Sequence, residues 1–430
     1  MIGDLPSYIL TVLLLSVGFL FSAQTRLYQL RGFLPLMKYA AVSTVKHGGK
    51  AARSMLLSLG GTVGIGNIAG VAVALYFGGA GAVFWMWMCG ILGMITKYAE
   101  VRLAVKHAPN GPFSYINDSF GKYGGIASVL FSIGCIASSL TVGNYFQVTA
   151  VTESAAGRGW SALPVAVILT APIAVLAFSK GESIINFSGV TVPIMSIGYI
   201  ILTSVIIIRH IGELPGVTAS IFKGAFGADS AAAGMSASLL SAAIRQGVSK
   251  GLFSHEAGMG SSPISYAAAE CDGKTAGAFS MLEVFLDTGV ICTLTAFALL
   301  VTGNGDKSGI TAARTMMLSE FGGMGDVFLS VSIVLFCISS FAGWLFYGRR
   351  AVMSLTKKAV PMFLYKLIFC ITAAVSPTLP SDIMWKICDA VMLLTAVPNL
   401  FSLIKNKDII IASVGKKDER KCLHTVCKEM

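Results

Sequence analysis

Two glycine-rich stretches hold the residues whose types and spacing could do chemistry in this chain. Residues 60–70 contain five glycines and one amide side chain, Asn67. Residues 251–263 contain three glycines together with His255 and Glu256. Where glycines interrupt a helix, free backbone N–H groups attract a carboxylate, and free carbonyl oxygens coordinate a small cation such as Na⁺. The two stretches therefore predict a main-chain site for a small zwitterion that binds together with a cation.

Enzymatic interpretations of the same stretches fail on spacing. His255 and Glu256 begin the His-Glu-x-x-His pattern of zinc proteases, but Met259 stands where the second histidine belongs. The glycines of residues 64–70 lack the spacing of a dinucleotide-binding loop. Two cysteines and a histidine lie within residues 422–427, and no fourth ligand for a metal ion is evident. The sequence therefore predicts neither an enzyme nor an organic cofactor.

The composition indicates that the chain uses lipid as its solvent. Of 430 residues, 55% are hydrophobic and 12% are charged, and the mean hydropathy is +0.76. A soluble protein carries about 25% charged residues. The net charge of +11 comes from Lys and Arg in the short gaps between apolar stretches, which argues against a nucleic-acid partner. We expect an all-α polytopic protein surrounded by a lipid bilayer, with no protein partner implied.

Eleven stretches are apolar over about 20 residues, the length that a transmembrane helix needs. The predicted spans are 5–23, 53–76, 80–107, 122–155, 162–179, 184–208, 231–268, 275–302, 323–348, 359–376 and 383–404. Of the 32 Lys and Arg, 23 lie at the loops of one side, six at those of the other and three within spans. Because cytoplasmic loops are rich in Lys and Arg, we expect a cell (inner) membrane protein with its N-terminus outside and residues 405–430 as a cytoplasmic tail.

The two glycine-rich stretches interrupt the second and the seventh predicted span. With the first span set aside as an extra N-terminal helix, the other ten form two five-helix repeats, 53–208 and 231–404, within a single transporter domain of residues 1–430. Each repeat then opens with a discontinuous helix, and its odd number of spans gives the two repeats opposite orientations. This pattern is typical of an inverted-repeat secondary transporter. Close helix packing through glycine is the alternative explanation for either stretch alone.

Five motifs, in the same order along nearly the whole chain, resemble the alanine/glycine:cation symporter family (sodium:alanine symporters). They are Thr62–Ala72, Gly78–Trp87, Ile244–Ser261, Met281–Asp287 and Val397–Leu400. The resemblance implies a leucine-transporter-type fold of ten core helices plus one. It also implies symport by alternating access, in which Na⁺ is the coupling ion and alanine, glycine or a similar small neutral amino acid is taken up.

The resemblance further implies which residues bind the amino acid. In that family the unwound backbone of the first stretch binds the substrate carboxylate. A glutamine of the fourth span then forms part of the pocket wall, and the second stretch forms an apolar floor. The residues so matched are Thr62, Gly64, Gly66, Asn67, Gln147, Phe253, Met259, Gly260 and Trp344. Interhelical hydrogen bonding is the alternative role for Gln147, and ordinary packing is the alternative for Phe253 and Met259.

For the coupling Na⁺, the resemblance implies oxygen ligands from Thr62, Ser339 and Ser340. Hydroxyl oxygens suit such a hard cation, although a serine in a helix can instead bond to the carbonyl four residues earlier. Glu256 is either functional, as an acid within a span, or a structural lock that accepts backbone N–H groups at the break. We favour the lock. Arg245 and Lys250 are the candidate partners predicted for Glu283 and Asp287, and the sequence does not assign the pairing.

Three residues depart from the family's pattern. His255 and Thr149 stand where asparagine is usual, and Arg349 stands where an acid is usual. His255 could titrate near neutral pH or serve only as a replacement hydrogen-bond donor. The open alternatives are H⁺ in place of Na⁺ and another small amino acid on the same fold. A channel and a non-transporting amino-acid sensor are less favoured.

Overall fold

In the computed structural model, residues 5–47, 49–179, 181–226 and 236–414 are described, and the regular structure within these ranges is entirely helical. The helices before residue 230 are α1 (Leu5–Gln24), α2 (Tyr28–Arg31), α3 (Phe33–His47), α4 (Lys50–Thr62), α5 (Ala69–Gly78), α6 (Gly81–Lys106), α7 (Pro112–Phe120), α8 (Gly124–Leu140), α9 (Phe146–Ala156), α10 (Ala162–Phe178), α11 (Gly181–Arg209) and α12 (Leu214–Phe226). Those after it are α13 (Ser236–His255), α14 (Pro263–Ala268), α15 (Gly273–Val284), α16 (Thr293–Val301), α17 (Gly309–Leu355), α18 (Ala359–Val375), α19 (Ser381–Lys405) and α20 (Lys407–Ala412). Parts of the predicted seventh span (231–235) and tail (415–430, with Cys422–Cys427) lie outside the described residues.

Within those residues, eight helical stretches are long and apolar enough to span a membrane. They are Leu5–Gln24, Gly81–Lys106, Pro112–Ala156, Ile184–Arg209, Gly273–Val301, Gly309–Leu355, Ala359–Thr378 and Ile383–Lys405. The bent pair α4 and α5 is a ninth candidate if it counts as one span, and α10 is apolar but only 17 residues long. The chain is therefore a multi-pass membrane protein. The total of eleven spans and the inverted repeat stay predictions.

The first predicted break separates α4 from α5, which are bent by 60°. Val63 is extended (φ −73°, ψ 102°), and Ile65–Asn67 form one turn of 3₁₀ helix. The Asn67 side chain accepts a hydrogen bond from the Gly64 N–H at 2.9 Å. Each glycine costs a continuous helix about 1 kcal/mol relative to alanine, and the asparagine side chain supplies a partner for backbone that the helix leaves unpaired.

The second predicted break separates α13 from α14. Glu256, Gly258 and Gly260 have φ angles of 56°, 95° and 74°, in the left-handed region that glycine enters without steric cost. Pro263 then occupies the first turn of α14, where its missing N–H leaves no helix hydrogen bond unmade. The sequence thus interrupts the helix with glycines and restarts it with a proline.

Several features were not predicted from the sequence. α3, α7 and α12 occupy stretches that we expected to be loops, because a criterion of about 20 apolar residues does not detect short helices. Residues 141–145 and 285–292 are π-helical turns within longer helices, a distortion that often marks functional sites. α17 runs for 47 residues, with a kink at Gly322 (φ 60°), and so begins well before the predicted span at 323.

Close backbone contacts hold the first break against α17. A Cβ atom added at Gly343 would lie 2.7 Å from the Cα atom of Gly61, so α17 and α4 touch through glycine backbone. Small residues allow such approach between helices in lipid. The contact fixes the C-terminal end of α4 against the part of α17 that carries Ser339 and Ser340.

Candidate functional site

Gly64, Gln147 and Ser340 converge at the first break. A Cβ atom on Gly64 would lie 2.5 Å from Ser340 Oγ and 3.1 Å from Gln147 Oε1. The same Gln147 oxygen accepts a hydrogen bond of 3.3 Å from the Ile65 N–H. The elements α4–α5, α9 and α17 therefore surround the unwound backbone, and a side chain at position 64 would displace the Ser340 hydroxyl.

Ser340 Oγ and Trp344 Nε1 are among the buried side-chain groups of α17 that have no hydrogen-bond partner within the described residues, and both side chains are fully buried. Of the two, Ser340 Oγ lies next to the unwound backbone at Gly64. Trp344 is one helical turn after Ser340, and its indole packs against Gly143, where an added Cβ atom would lie 2.1 Å from Trp344 Cβ. Buried polar groups are nearly always hydrogen-bonded, so these two groups are suited to a bound molecule.

Phe253 covers the other side of the first break. Its ring lies 3.2 Å from the position of a Cβ atom on Gly66. It also belongs to an aromatic cluster with Phe146 and Trp385, in which the ring centroids are 5.4 Å (146–253), 5.1 Å (253–385) and 4.0 Å (146–385) apart. The three rings all line the cavity described next.

A cavity of about 620 Å³ leads to the aromatic cluster. It is lined near its base by Ile65, Phe146 and Phe253, and elsewhere by residues at the end of α9 and the starts of α17 and α19. Five charged residues also line it, namely Glu153, Arg245, Lys250, Lys386 and Asp389. The Lys250 ammonium lies 3.3 Å from the centre of the Trp385 ring. The cavity is thus polar at its walls and aromatic at its base.

The remaining predicted substrate residues lie further along the second break. The Gly260 N–H donates to Glu100 Oε1 at 2.9 Å, and a Cβ atom at Gly260 would lie 3.0 Å from Phe131. Met259 is buried in the apolar cluster that also contains Phe131 and Phe253. The structure therefore brings Phe253 to the first break, whereas Gly260 contacts Glu100 and Phe131 instead.

A buried carboxylate joins the two breaks. Asp287, in the π-helical turn after α15, is fully buried and accepts hydrogen bonds from Asn67 Nδ2 (2.7 Å), Ser254 Oγ (2.6 Å) and Thr288 Oγ1 (2.9 Å). Asn67 Nδ2 also lies 3.0 Å from Ser254 Oγ. Asn67 belongs to the first break, and Ser254 stands two residues before the second. The carboxylate and hydroxyl oxygens suit a hard cation, whereas Asn67 presents its NH₂ group to Asp287 and its amide oxygen to the Gly64 N–H.

The predicted sodium ligands surround the end of α4. Ser339 Oγ donates to the Gly60 carbonyl at 3.1 Å, and Thr62 Oγ1 donates to the Ser58 carbonyl at 3.2 Å within its own helix. Ser340 points to Gly64 instead, as described above. Ser339 and Ser340 of α17 are thus brought to the end of α4, which carries Thr62, but the Thr62 hydroxyl bonds to the carbonyl four residues earlier in its own helix.

The predicted partner of Glu283 was wrong. Its carboxylate pairs with Lys97 of α6 rather than with Arg245 or Lys250, and both side chains are fully buried. Glu283 Oε1 also accepts hydrogen bonds from Ser58 Oγ (2.6 Å) and Ser262 Oγ (3.1 Å). Sequence reasoning had counted Lys97 only as a loop-side charge. The pair links α4, α6, α14 and α15 on the far side of the breaks from the cavity.

The lock of the second break is a different acid from the one predicted. Glu256 accepts a hydrogen bond from the Ser261 hydroxyl at 2.6 Å. The backbone N–H of Gly260 is bound by Glu100, which Asn399 also contacts. Asn399 Nδ2 donates in addition to the Gly258 carbonyl at 2.9 Å. Asn399 lies in one of the five motifs, whereas no sequence signal pointed to Glu100.

His255 is a buried hydrogen-bonding residue in this structure. Its Nδ1 accepts the Ala257 N–H at 3.0 Å, so the proton of the neutral ring lies on Nε2, which faces Cys89 Sγ at 3.3 Å. The His255 carbonyl accepts from Lys97 Nζ at 2.7 Å. These contacts fix the end of α13.

Comparison with known proteins gives concordant results. The model of the sodium:alanine symporter family matches residues 3–421. The chain is 32% identical to the sodium/alanine symporter AgcS of Methanococcus maripaludis, over 85% of this chain and 84% of that protein. It is 30% identical to the probable sodium/glutamine symporter GlnT of Bacillus subtilis, over 95% and 87%. It is also 30% identical to that organism's putative sodium/proton-dependent alanine carrier protein YrbD, over 80% and 75%.

Proposed function

Because this chain belongs to the sodium:alanine symporter family, an amino-acid:cation symporter family and not a family of enzymes, we propose that it couples uptake of alanine, glycine or a similar small neutral amino acid to the inward movement of Na⁺. One observation carries the proposal. The two helix breaks meet at a buried polar cluster, where Asn67 contacts both Ser254 and the carboxylate of Asp287. H⁺ in place of Na⁺ is the alternative.

The fold proposed for this activity is of the leucine-transporter type. In it, residues 53–208 and 231–404 are inverted repeats, and each repeat contributes one broken helix to the site. The 60° bend between α4 and α5 and the interruption between α13 and α14 support this arrangement. We place the N-terminus outside and the tail inside, on the strength of the 23 basic residues on one side against six on the other.

The amino acid is proposed to bind at the unwound backbone of residues 63–68. Its carboxylate would bind backbone N–H groups there by replacing the Asn67 and Gln147 oxygens that accept from Gly64 and Ile65. Its ammonium or polar atoms would meet Gln147 and the unpartnered Ser340 hydroxyl. Phe253 and Trp344 would enclose the side chain, since one covers Gly66 and the other packs against Gly143 beside Ser340. Contacts this close on both sides of the backbone favour a small side chain.

The coupling cation is proposed to bind at Asp287. A buried charge must be balanced by an opposite charge, because its removal from water costs several kcal/mol. Glu283 has Lys97, whereas the hydrogen-bond donors that the structure gives Asp287 are the neutral Asn67, Ser254 and Thr288. A cation bound beside Asp287 would balance its charge. The hydroxyls of Thr62, Ser339 and Ser340 are the candidates for a second cation position.

The first experiment measures radiolabelled alanine uptake into proteoliposomes, with and without an inward Na⁺ gradient, at fixed pH and membrane potential. Unlabelled glycine and glutamine serve as competitors. We expect uptake that requires Na⁺ and that glycine inhibits more strongly than glutamine. Uptake driven by a pH gradient alone would rule out Na⁺ as the coupling ion but would still support a symporter. No alanine uptake under either gradient would reject the substrate.

The Asp287→Asn variant tests the proposed cation position without relying on transport. Ligand binding raises the melting temperature of the folded state, so the wild-type protein in detergent should melt at a higher temperature in NaCl than in choline chloride. We expect Asp287→Asn to lose this difference and to raise the half-saturating Na⁺ concentration for uptake at least tenfold. If NaCl stabilises Asp287→Asn as much as it stabilises the wild-type protein, the cation does not bind at Asp287, and the hydroxyls of Thr62, Ser339 and Ser340 become the proposed site.

A further inference from the structure

A second cavity, of about 450 Å³, lies far from the proposed transport site. It is formed where the start of α7, the end of α17 and the start of α18 meet. Asn110 and Phe113 line it from one side, Arg350 and Met353 from α17, and Met362 from α18. The proposed transport mechanism makes no use of this cavity.

The cavity is strongly cationic. Arg350, Lys357 and Lys358 line it, and none of its described lining residues is acidic. The two lysines are exposed. Arg350 donates to the Pro109 carbonyl, a contact that holds the guanidinium at the wall and leaves its other N–H groups for a ligand.

The start of α18 adds backbone donors to the same place. Lys358 is the N-cap residue, its side chain makes no capping hydrogen bond, and the first turn contains no acidic residue. The first N–H groups of a helix have no partner within the helix, and a phosphate is a preferred ligand for them. In α18 the Ala359 and Val360 N–H groups are the ones left for a ligand, because the Lys358 N–H donates to Thr356 Oγ1 and Pro361 has no N–H. Two lysines and an uncapped 17-residue helix therefore present positive charge to one cavity.

The cavity borders a surface of apolar side chains. Val360, Phe363 and Leu364 of α18 are exposed by 67%, 54% and 48%, and Met353 of α17 by 53%. In a multi-pass membrane protein such side chains face acyl chains. A ligand that fits both surfaces has an anionic headgroup and an apolar tail.

We propose that this cavity binds the headgroup of an anionic phospholipid, with its acyl chains along the exposed face of α18. The phosphodiester would be held by Arg350, Lys357, Lys358 and the N-terminus of α18. Basic pockets between transmembrane helices are suited to such headgroups. The bound lipid would connect α18 to α17, the helix that carries Ser340, and its presence would support transport.

The test is native mass spectrometry of the full-length protein in detergent, titrated with phosphatidylglycerol or with phosphatidylcholine. We expect tighter binding of phosphatidylglycerol to the wild-type protein. Each lysine near an anionic headgroup contributes roughly fivefold to affinity, so Lys357→Gln/Lys358→Gln should weaken that binding by roughly 25-fold. Both lysines are exposed, so this variant is expected to fold.

The matched control removes two other exposed lysines of the same predicted membrane side, as Lys106→Gln/Lys122→Gln, and should change phosphatidylglycerol binding less than about twofold. Glycerol phosphate, added as a headgroup without acyl chains, should not displace the lipid. Equal binding of the two lipids, or equal losses in the two double variants, would overturn the proposal. Displacement by glycerol phosphate would overturn it in favour of a free phosphate ligand.

Discussion

At the scale of single residues, two buried acids on the same helical stretch have different partners. Glu283 and Asp287 are four residues apart, yet Glu283 pairs with the ammonium of Lys97 and Asp287 with neutral donors from three positions. The charged pair fastens α6 to α15, and the neutral surroundings of Asp287 leave a charge for a cation to balance. This contrast separates a structural acid from a proposed functional one.

The Lys97–Glu283 pair should be essential for stability. Breaking a buried ion pair leaves one uncompensated charge and costs about 3–5 kcal/mol. We expect Lys97→Met and Glu283→Gln each to lower the melting temperature in detergent by well over 5 °C. The double variant should regain at least half of that loss, because neither charge remains. Melting is measured by tryptophan fluorescence.

The control for this prediction is Asp118→Asn, which removes the exposed pair of His107 and Asp118, 3.6 Å apart. Exposed pairs contribute less than about 1 kcal/mol, so the melting temperature should barely change. A double variant that melts no higher than the worse single variant would show that packing, rather than charge pairing, explains the losses.

The Lys97–Glu283 pair is predicted to matter for stability, whereas the Ser340 hydroxyl is predicted to matter for transport and not for stability. Its hydroxyl is buried without a described partner, so Ser340→Ala removes no hydrogen bond and should leave the melting temperature unchanged or slightly raised. Alanine uptake should nevertheless fall at least tenfold, if the hydroxyl binds substrate or cation. The measurement pairs thermal melting with uptake on the same protein sample.

Ser339→Ala is the matched control, because its hydroxyl donates to the Gly60 carbonyl at 3.1 Å. Loss of this bond should cost about 1 kcal/mol of stability. If Ser340→Ala destabilises the protein as much as Ser339→Ala and leaves uptake intact, the Ser340 hydroxyl has a structural role only.

The site residues that could be predicted from the sequence are those that lie in a locally unusual stretch of sequence. Gly64 and Asn67 stood out because glycines interrupt an apolar run, and the structure places Asn67 in the cluster that joins both breaks. Lys97 and Glu100 did not stand out. Their partners Glu283 and Asn399 are 186 and 299 residues away, and single-chain spacing carries no information on such distant contacts.

At the scale of helices, both breaks could be predicted and the distortions between them could not. Glycine content and a proline at a helix start are local signals. The π-helical turns at 141–145 and 285–292 each contain a glycine among other weak helix formers, but this composition does not specify which distortion of the helix forms. The kink of α17 falls at Gly322, one of two consecutive glycines between apolar runs, where we predicted the start of a span rather than a bend within a helix.

The glycine contact between α4 and α17 leads to a prediction at this scale. A Cβ atom at Gly343 would lie 2.7 Å from both the Cα and the N atom of Gly61, and backbone atoms cannot move aside as a flexible side chain can. We expect Gly343→Ala to separate the two helices, to lower the melting temperature and to abolish uptake, since Ser339 and Ser340 would shift with α17.

Gly323→Ala is the control on the same helix, because an added Cβ atom there meets no atom within 4 Å. It should retain uptake and melt at or above the wild-type temperature. Equal behaviour of the two variants would mean that alanine is tolerated at the helix contact and that the packing there is not tight.

At the scale of the whole molecule, the position of the large cavity bears on transport direction. Its lining includes Glu153 near the end of α9, Ser308 before α17 and Lys386 near the start of α19. These helix ends belong to the side with only six basic residues, which the charge distribution assigns to the outside. In this proposed orientation, the cavity would open outward from the aromatic cluster.

Cysteine labelling in cells tests this orientation together with alternating access. The variants are Thr149→Cys in the cavity and Trp160→Cys in the loop after α9, with Lys122→Cys for the opposite side. Each is made in a background with Cys271, Cys422 and Cys427 replaced by serine. Of these three, Cys271 would react slowly in any case, because burial raises the pKa of its thiol to about 11.

A membrane-impermeant maleimide added outside should label Thr149→Cys and Trp160→Cys, and should label Lys122→Cys only after permeabilisation, because the fewer basic residues face outward. Na⁺ with alanine should protect Thr149→Cys severalfold, since closure of the site narrows the cavity. Trp160→Cys is exposed outside the cavity and should react equally under both conditions. Labelling of Lys122→Cys in intact cells would show that the orientation in the membrane is the reverse of the proposed one. Protection of both outer positions would indicate a general change in reactivity rather than closure around the substrate.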